Sequence, residues 1–264
     1  MVTAISSPAS ALTFKNFSLR CDKSDPSISY KTPWNWKLPQ GKRVAVISEN
    51  SFLRYQLITT IAGLIPPVSG EIVCHGVVGW PVGGEGGLDS KMRISHALDF
   101  LSAVYVDCLE KSPVNIDQFW DLLSGMEIYP RAILRELSRS QKDFFFLALS
   151  VLFSFDLYLI SQAKFLMSRD AKVLKMLLLK QLEGKTLLTT STSDRVRQEF
   201  CTDGIVLGSS GQLLFAGGLS EAIQWSEQNL KVSNVSESEE DKLKIDLMFS
   251  NSDSSSDSFD VDDI

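Results

Sequence analysis

The sequence predicts an α/β fold, and three stretches of its 264 residues carry that expectation. Lys42 to Ile72 passes from an apolar, β-prone run, Val44-Ala45-Val46-Ile47, through a polar turn. It continues as a helical pattern from about Tyr55 to Leu64, which Pro66-Pro67 should stop. Phe144 to Ile160 reads as a buried helix, a turn at Ser154-Phe155-Asp156 and a buried strand, Leu157 to Ile160. Near the end, Gly204 to Gly208 and Gln212 to Gly217 flank a Ser-Ser-Gly turn in the manner of a β-hairpin.

Composition narrows the class. With 44% apolar and 22% charged residues, the chain can bury one large core or two modest ones. Its formal charge of −6 is uneven: residues 235–264 hold ten acidic residues against two lysines, a balance of −8, which leaves the rest at +2. A nearly neutral body gives no case for a nucleic-acid partner. Cys21, Cys74, Cys108 and Cys201 are scattered, form no C-x-x-C pair and follow no secretory signal, so reduced thiols in a cytoplasmic protein are expected. His75 and His96 share no ligand spacing with them, which argues against zinc. The apolar run at 144–160 is interrupted by Asp156 and falls short of the roughly 20 residues that a spanning helix needs, so no transmembrane helix is expected.

In chain order, residues 1–11 are small, polar and expected to be loose, and Leu12 to Arg20 then alternates like a half-buried strand. After the Lys42–Ile72 unit, Gly76 to Gly87 forms a glycine-dense loop containing Trp80-Pro81, ahead of an amphipathic helix from Ile94 to Val106 that carries Phe100 and Tyr105. Residues 115–134 read as a short helix or two, Leu137-Ser138-Arg139-Ser140-Gln141 precedes the long apolar helix, and Thr186 to Thr190 is a further strand. Ser220 to Leu230 closes the folded part as a helix. The resulting layout is a loose segment 1–11, a domain 12–231 with a helical part at about 90–153, and an acidic Ser/Asp-rich tail, 232–264, expected to be disordered. One apolar island, Leu243, Ile245, Leu247, Met248 and Phe249, interrupts the tail and could dock transiently.

The polar turn after Ile47 stands where a phosphate-binding loop, G-x-x-x-x-G-K-[ST], would lie between strand and helix. In such a loop the glycines let backbone N–H groups curl around an anion, the Lys meets the outer phosphates and the Ser/Thr hydroxyl holds magnesium. The chain reads Ser48-Glu49-Asn50-Ser51-Phe52-Leu53-Arg54-Tyr55, followed by Gln56. The glycines are gone, Phe52 and Leu53 put bulk at the phosphate positions, Glu49 adds negative charge, and Tyr55 is too large for the magnesium hydroxyl. Arg54 alone keeps a positive charge.

That unit, with the flanking Ile61-Ala62-Gly63-Leu64-Ile65-Pro66-Pro67-Val68-Ser69-Gly70-Glu71-Ile72, resembles the corresponding part of ABC-transporter ATPases. The Trp80-Pro81 loop resembles the type that exports capsular and other surface polysaccharides. The resemblance spans roughly residues 12–230 and implies a P-loop NTPase-like ABC ATPase core with an antiparallel β subdomain and a helical subdomain. It also implies where the family's chemistry should sit. Cys21 falls at the adenine-stacking aromatic, for which Tyr30 could substitute. The glutamine that senses the γ-phosphate is not evident. Ser138 and Gln141 survive from an LSGGQ signature whose glycines are Arg139 and Ser140, and Ser138 reads equally well as a helix cap. The magnesium-binding Asp and catalytic Glu fall at Ser161 and Gln162, and the switch histidine at Thr192. None of these side chains can do the family's acid–base or metal chemistry.

The expected function is a catalytically silent ABC ATPase homologue, a structural or regulatory subunit of a polysaccharide-type exporter, cytoplasmic and peripheral on the inner face of the membrane. No cofactor is expected: ATP would bind weakly at most and magnesium poorly. The partner implied is an integral membrane permease, received on a surface at Trp80, Pro81, Phe100 and Tyr105, unless Trp80 and Phe100 only pack the subdomain. Two alternatives stand beside this: a divergent ATP-binding subunit active only in a mixed dimer with an intact ATPase paralogue, or with itself, and a soluble scaffold unrelated to transport.

Overall fold

A computed structural model describes residues 9–20, 33–82, 88–161 and 165–230. Strand β1 (Ser10–Ser18) is followed by β2 (Trp34–Pro39), β3 (Arg43–Ile47), α1 (Ser51–Ile61), β4 (Ser69–Cys74) and β5 (Val78–Val82). A run of helices comes next: α2 (Ile94–Val104), α3 (Val106–Glu110), α4 (Ile116–Ser124) and α5 (Arg139–Leu152). Strand β6 (Leu157–Ile160), α6 (Lys172–Gln181), β7 (Thr186–Thr189), α7 (Asp194–Phe200), β8 (Asp203–Leu207), β9 (Leu213–Gly218) and α8 (Leu219–Asn229) complete the order.

Two sheets result. β1 lies between β2 and β4 in an antiparallel three-stranded sheet, and the second sheet runs β5-β6-β7-β3-β8-β9, parallel except for β9. Central parallel strands are covered on both faces, so they need uninterrupted apolar runs, and β6 with Leu157, Tyr158, Leu159 and Ile160 is buried throughout. Pro81, which cannot donate to a ladder, sits on β5 at the sheet edge. β1 is bent where Asn16 adopts a left-handed φ of 48°. A Cβ on Gly70 of β4 would lie 2.2 Å from the Asn16 carbonyl, so Gly70, itself at φ 74°, lets the two backbones approach there.

One core gathers the helical region around α5, whose residues Phe144 to Leu152 are all buried, together with Trp80, Phe119, Phe153, Phe155 and Leu178. A second joins the antiparallel sheet to α1 through Phe14, Phe17, Trp34, Val46, Leu53 and Leu57. Among the described residues, no helix is long and apolar enough to cross a membrane.

Several boundaries differ from the sequence expectation. β1 begins at Ser10, inside the segment expected to be loose. α1 begins at Ser51 rather than about Tyr55, because the Asn50 side chain caps it. It also stops at Ile61 rather than Leu64. Gly63, at φ 75°, donates to Thr60 O at 3.1 Å and Leu64 to Thr59 O at 2.9 Å, a left-handed glycine stop that acts before the prolines are reached. The helix expected from Ile94 to Val106 breaks at Tyr105, whose ψ of 39° is not helical, giving α2 and α3. The tail 232–264, its apolar island, Cys21, Tyr30 and the glycines of 83–87 lie outside the described residues.

Candidate functional site

β6, β7 and β3 are neighbours in the sheet, so the residues after their C-terminal ends converge on one edge of the core. Ser48 follows β3, Ser161 follows β6, and Thr190 to Thr192 follow β7. Gln162 lies outside the described residues.

At the β3–α1 turn, two backbone N–H groups and one carbonyl are met by the turn's own side chains. Asn50 Oδ1 accepts the Leu53 N–H at 3.0 Å, and Asn50 Nδ2 donates to Ser209 O at 3.0 Å. Ser48 Oγ accepts the Asn50 N–H at 3.3 Å. Arg54 points inward and is only 2% exposed, and its Nη1 donates to the Ser48 carbonyl. A guanidinium removed from water needs acceptors, and the turn provides one at its centre. Ser51 is the first helical residue and half-buried, Tyr55 is half-buried with its hydroxyl pKa pushed up by burial, and Gln56 lends its carbonyl to Thr59 Oγ1 at 3.1 Å. One carboxylate oxygen of Glu49, Oε1, is buried without a hydrogen-bond partner among the described residues.

The turn after β7 is laced to β6. Thr189 Oγ1 donates to Ile160 O at 2.9 Å, and the Thr190 N–H donates to the same carbonyl at 3.0 Å. Ser191 is buried and Thr192 half-buried. Arg197, which sequence reasoning missed, donates Nε to the Ser191 carbonyl at 2.8 Å and pairs through Nη1 with Asp194 at 3.2 Å. Burial lowers its pKa first, the like charge of Arg54 lowers it further, and Asp194 opposes both. The only sequence signal was Asp194 and Arg197 three apart on a short helix, which reads as an ordinary solvated pair. Two guanidiniums therefore bond the carbonyls of Ser48 and Ser191, at the ends of adjacent strands.

The α5 N-terminus is organised differently. Ser138 Oγ accepts the Gln141 N–H at 3.3 Å, Gln141 Oε1 accepts the Ser138 N–H at 3.0 Å, and Gln141 Nε2 donates to Met126 O at 3.0 Å. This is a reciprocal capping box on an exposed helix end, with Arg139 and Ser140 on the surface.

Trp80, for which both an outer docking surface and core packing stood open, is 9% exposed, with ring centroids 5.5 Å from Tyr105, 5.7 Å from Phe153 and 5.0 Å from Phe155. Pro81 is buried beside it and Tyr105 half-buried. The aromatic cluster that absorbs Trp80 comes from the α5–β6 turn, remote in sequence. The outward apolar surface is carried by Phe100 and Val104, four apart on α2, and by Val106, about half exposed each.

No protein-family model matches the sequence. The chain is similar to the polysialic acid transport ATP-binding protein KpsT of Escherichia coli, 29% identical over 209 residues that cover 74% of this chain and 93% of that protein. It is also similar to the ATP-binding protein BexA of Haemophilus influenzae, 23% identical over 80% of this chain and 97% of that one. The capsule polysaccharide export ATP-binding protein CtrD of Neisseria meningitidis serogroup B is 24% identical, over 66% of this chain and 79% of that protein. Among solved structures, an ATP-binding subunit of an ABC transporter superposes with a TM-score of 0.59 at 16% identity, covering 90% of this chain and 99% of that one. The cbiO1 subunit of the cbiONQ ABC transporter from Clostridium perfringens gives 0.55 at 14% identity, over 84% and 96%. The fold is that of ABC ATPases.

Proposed function

From a chain that is a homologue of the ATP-binding proteins of capsule polysaccharide export and has the fold of ABC ATPases, we propose that it is a catalytically silent member of that group, a structural or regulatory subunit of a polysaccharide-type ABC exporter. One observation carries the reading: the turn between β3 and α1 is filled by its own side chains. Asn50 takes a helix N-terminal N–H that an anion would otherwise use, and Arg54 is buried against Ser48 O. The residues present do not fit ATP with magnesium. Tyr55 supplies no small hydroxyl, Ser161 no carboxylate, and two cationic side chains bond backbone carbonyls. Without those groups, the electrostatic stabilisation that dominates phosphoryl transfer is missing.

The surviving role is docking. Phe100, Val104 and Val106 present an apolar surface on α2 and α3, suited to a cytoplasmic segment of an integral membrane permease, which would place the protein peripherally on the inner face of the membrane. Ser138 supports a second reading, a mixed dimer with an intact ATPase, because its helix end is exposed and retains the serine.

Purified protein should show no magnesium-dependent ATP hydrolysis above a buffer blank, and millimolar ATP-magnesium should raise the melting temperature by less than about 1 °C, since a ligand that barely binds contributes almost nothing to stability. Turnover that disappears in Arg54→Ala would overturn the silent reading. For docking, Phe100→Asp should keep the melting temperature and abolish co-purification of a membrane protein, and a folded variant that still co-purifies it would reject this surface. Trp80→Ala, by contrast, should lower the melting temperature, because its ring is core.

A further inference from the structure

Helix α6 is apolar on two sides. Leu174, Leu178 and Gln181 face inward and are buried, whereas Val173 and Met176, 54% and 62% exposed, lie on the outer side, joined to the core by the half-buried Leu177 at i+4 from Val173. This outer side runs into a groove of about 490 Å³ whose other wall comes from α4 and the residues before it, with Val114, Gln118, Asp121 and Leu122 facing Leu177 and Lys180. None of these residues takes part in the site described above. An amphipathic surface helix covers one stripe, and a second apolar stripe beside an open groove needs an occupant of its own.

We propose that the occupant is residues 243–249 of the same chain, Leu243-Lys244-Ile245-Asp246-Leu247-Met248-Phe249, a segment outside the described residues. Five of these seven residues are apolar, in a stretch otherwise rich in Ser, Asp and Glu. The described residues end at Leu230, and twelve residues lie between it and Leu243, a reach of up to about 45 Å, which matches the diameter of a domain of this size. The pattern fits an extended strand: Leu243, Ile245 and Leu247 fall on one face, towards the groove, and Lys244 and Asp246 on the other. On the outer face Lys244 and Asp246 stay in water, so docking buries no charge of the segment. Phe249, on the same face, would continue over Val173 and Met176.

Cross-linking of the full-length chain tests this. In a Cys21→Ser, Cys74→Ser background, Met176→Cys paired with Phe249→Cys should form a disulfide within one chain on mild oxidation at high dilution. It should do so at least about tenfold faster than Leu64→Cys paired with Phe249→Cys, because docking raises the local concentration at one surface only. Equal rates at the two positions, or adducts solely of two-chain mass, would overturn the proposal, the latter by assigning the groove to a second copy. Independently, Leu247→Asp with Phe249→Asp in the full-length chain should speed amide exchange across residues 172–181 several-fold without touching the body, and unchanged exchange there would equally overturn it.

Discussion

Helices α1 and α5 both begin with a polar side chain that accepts the N–H three residues on, Asn50 for Leu53 and Ser138 for Gln141, yet the two ends are built to different standards. At α1 the cap is tied to Ser209 and backed by Arg54, a buried cation bonded to the same turn. At α5 the cap is exposed, and its partners are one another and a single carbonyl, Met126 O. Burial makes the first end part of the core, so opening it to a ligand means unmaking structure. The second can be opened at the cost of a surface cap. A polar cap thus takes two physical forms in this molecule: one backed by a buried cation, and one that stands on the surface.

The largest break in this comparison should come from Arg54→Leu. Removing a buried, hydrogen-bonded cation strands the Ser48 carbonyl and should cost about 3 kcal/mol, or roughly 6–12 °C of melting temperature. An unchanged melting curve would show that Arg54 does not hold the turn. Asn50→Ala should cost about 1 kcal/mol in urea denaturation, and Asn50→Asp should recover only part of it, since Asp also caps but cannot donate to the Ser209 carbonyl. Ser138→Ala should cost only about 0.5 kcal/mol, because water can replace an exposed cap, and a loss equal to that of Asn50→Ala would erase the distinction between the two ends.

The smallest effect distinguishes caps from clamps. Asn50 and Ser138 carry no charge, so their contributions should not vary with pH. The turn that leaves α5 for β6 is held by a carboxylate instead: Asp156 accepts the Val77 N–H at 2.9 Å and pairs with Lys185 at 3.3 Å. Burial raises the Asp156 pKa, but that hydrogen bond and the Lys185 charge outweigh it, and the net value lies below the ordinary 3.8. A lowered folded-state pKa gives stability that is present above the unfolded value and lost as pH falls through the folded one. The gap in melting temperature between the unmodified chain and Asp156→Asn should therefore be constant at neutral pH and shrink below about pH 4, and a gap that persists there would rule out the clamp.

The α/β plan was legible because central strands such as Val44 to Ile47 and Leu157 to Ile160 must be apolar on both faces, which leaves a plain mark in the sequence. The α1 boundaries were not, since proline draws attention at 66 and 67 while Asn50 and Gly63 do the capping and stopping. At the candidate site, the absence of glycine from Ser48 to Tyr55 could be read directly. How the turn is held could not, because the inward turn of Arg54 and the approach of Arg197 depend on three strands meeting. The place of Trp80 stayed open between surface and core for the same reason: its neighbours Phe153 and Phe155 reach it only through the fold.

Trp34 and Trp80 share an unusual state, each buried with an indole N–H that finds no acceptor among the described residues. They belong to different cores, Trp34 to the one beneath the antiparallel sheet and Trp80 to the one around α5. An indole shielded from water and from hydrogen bonding emits at short wavelength, so Trp34 and Trp80 should emit to the blue of the half-buried Trp36, Trp120 and Trp225. Trp34→Phe and Trp80→Phe would each silence one of them, and the emission left behind would report whether the two halves melt in a single step or one ahead of the other.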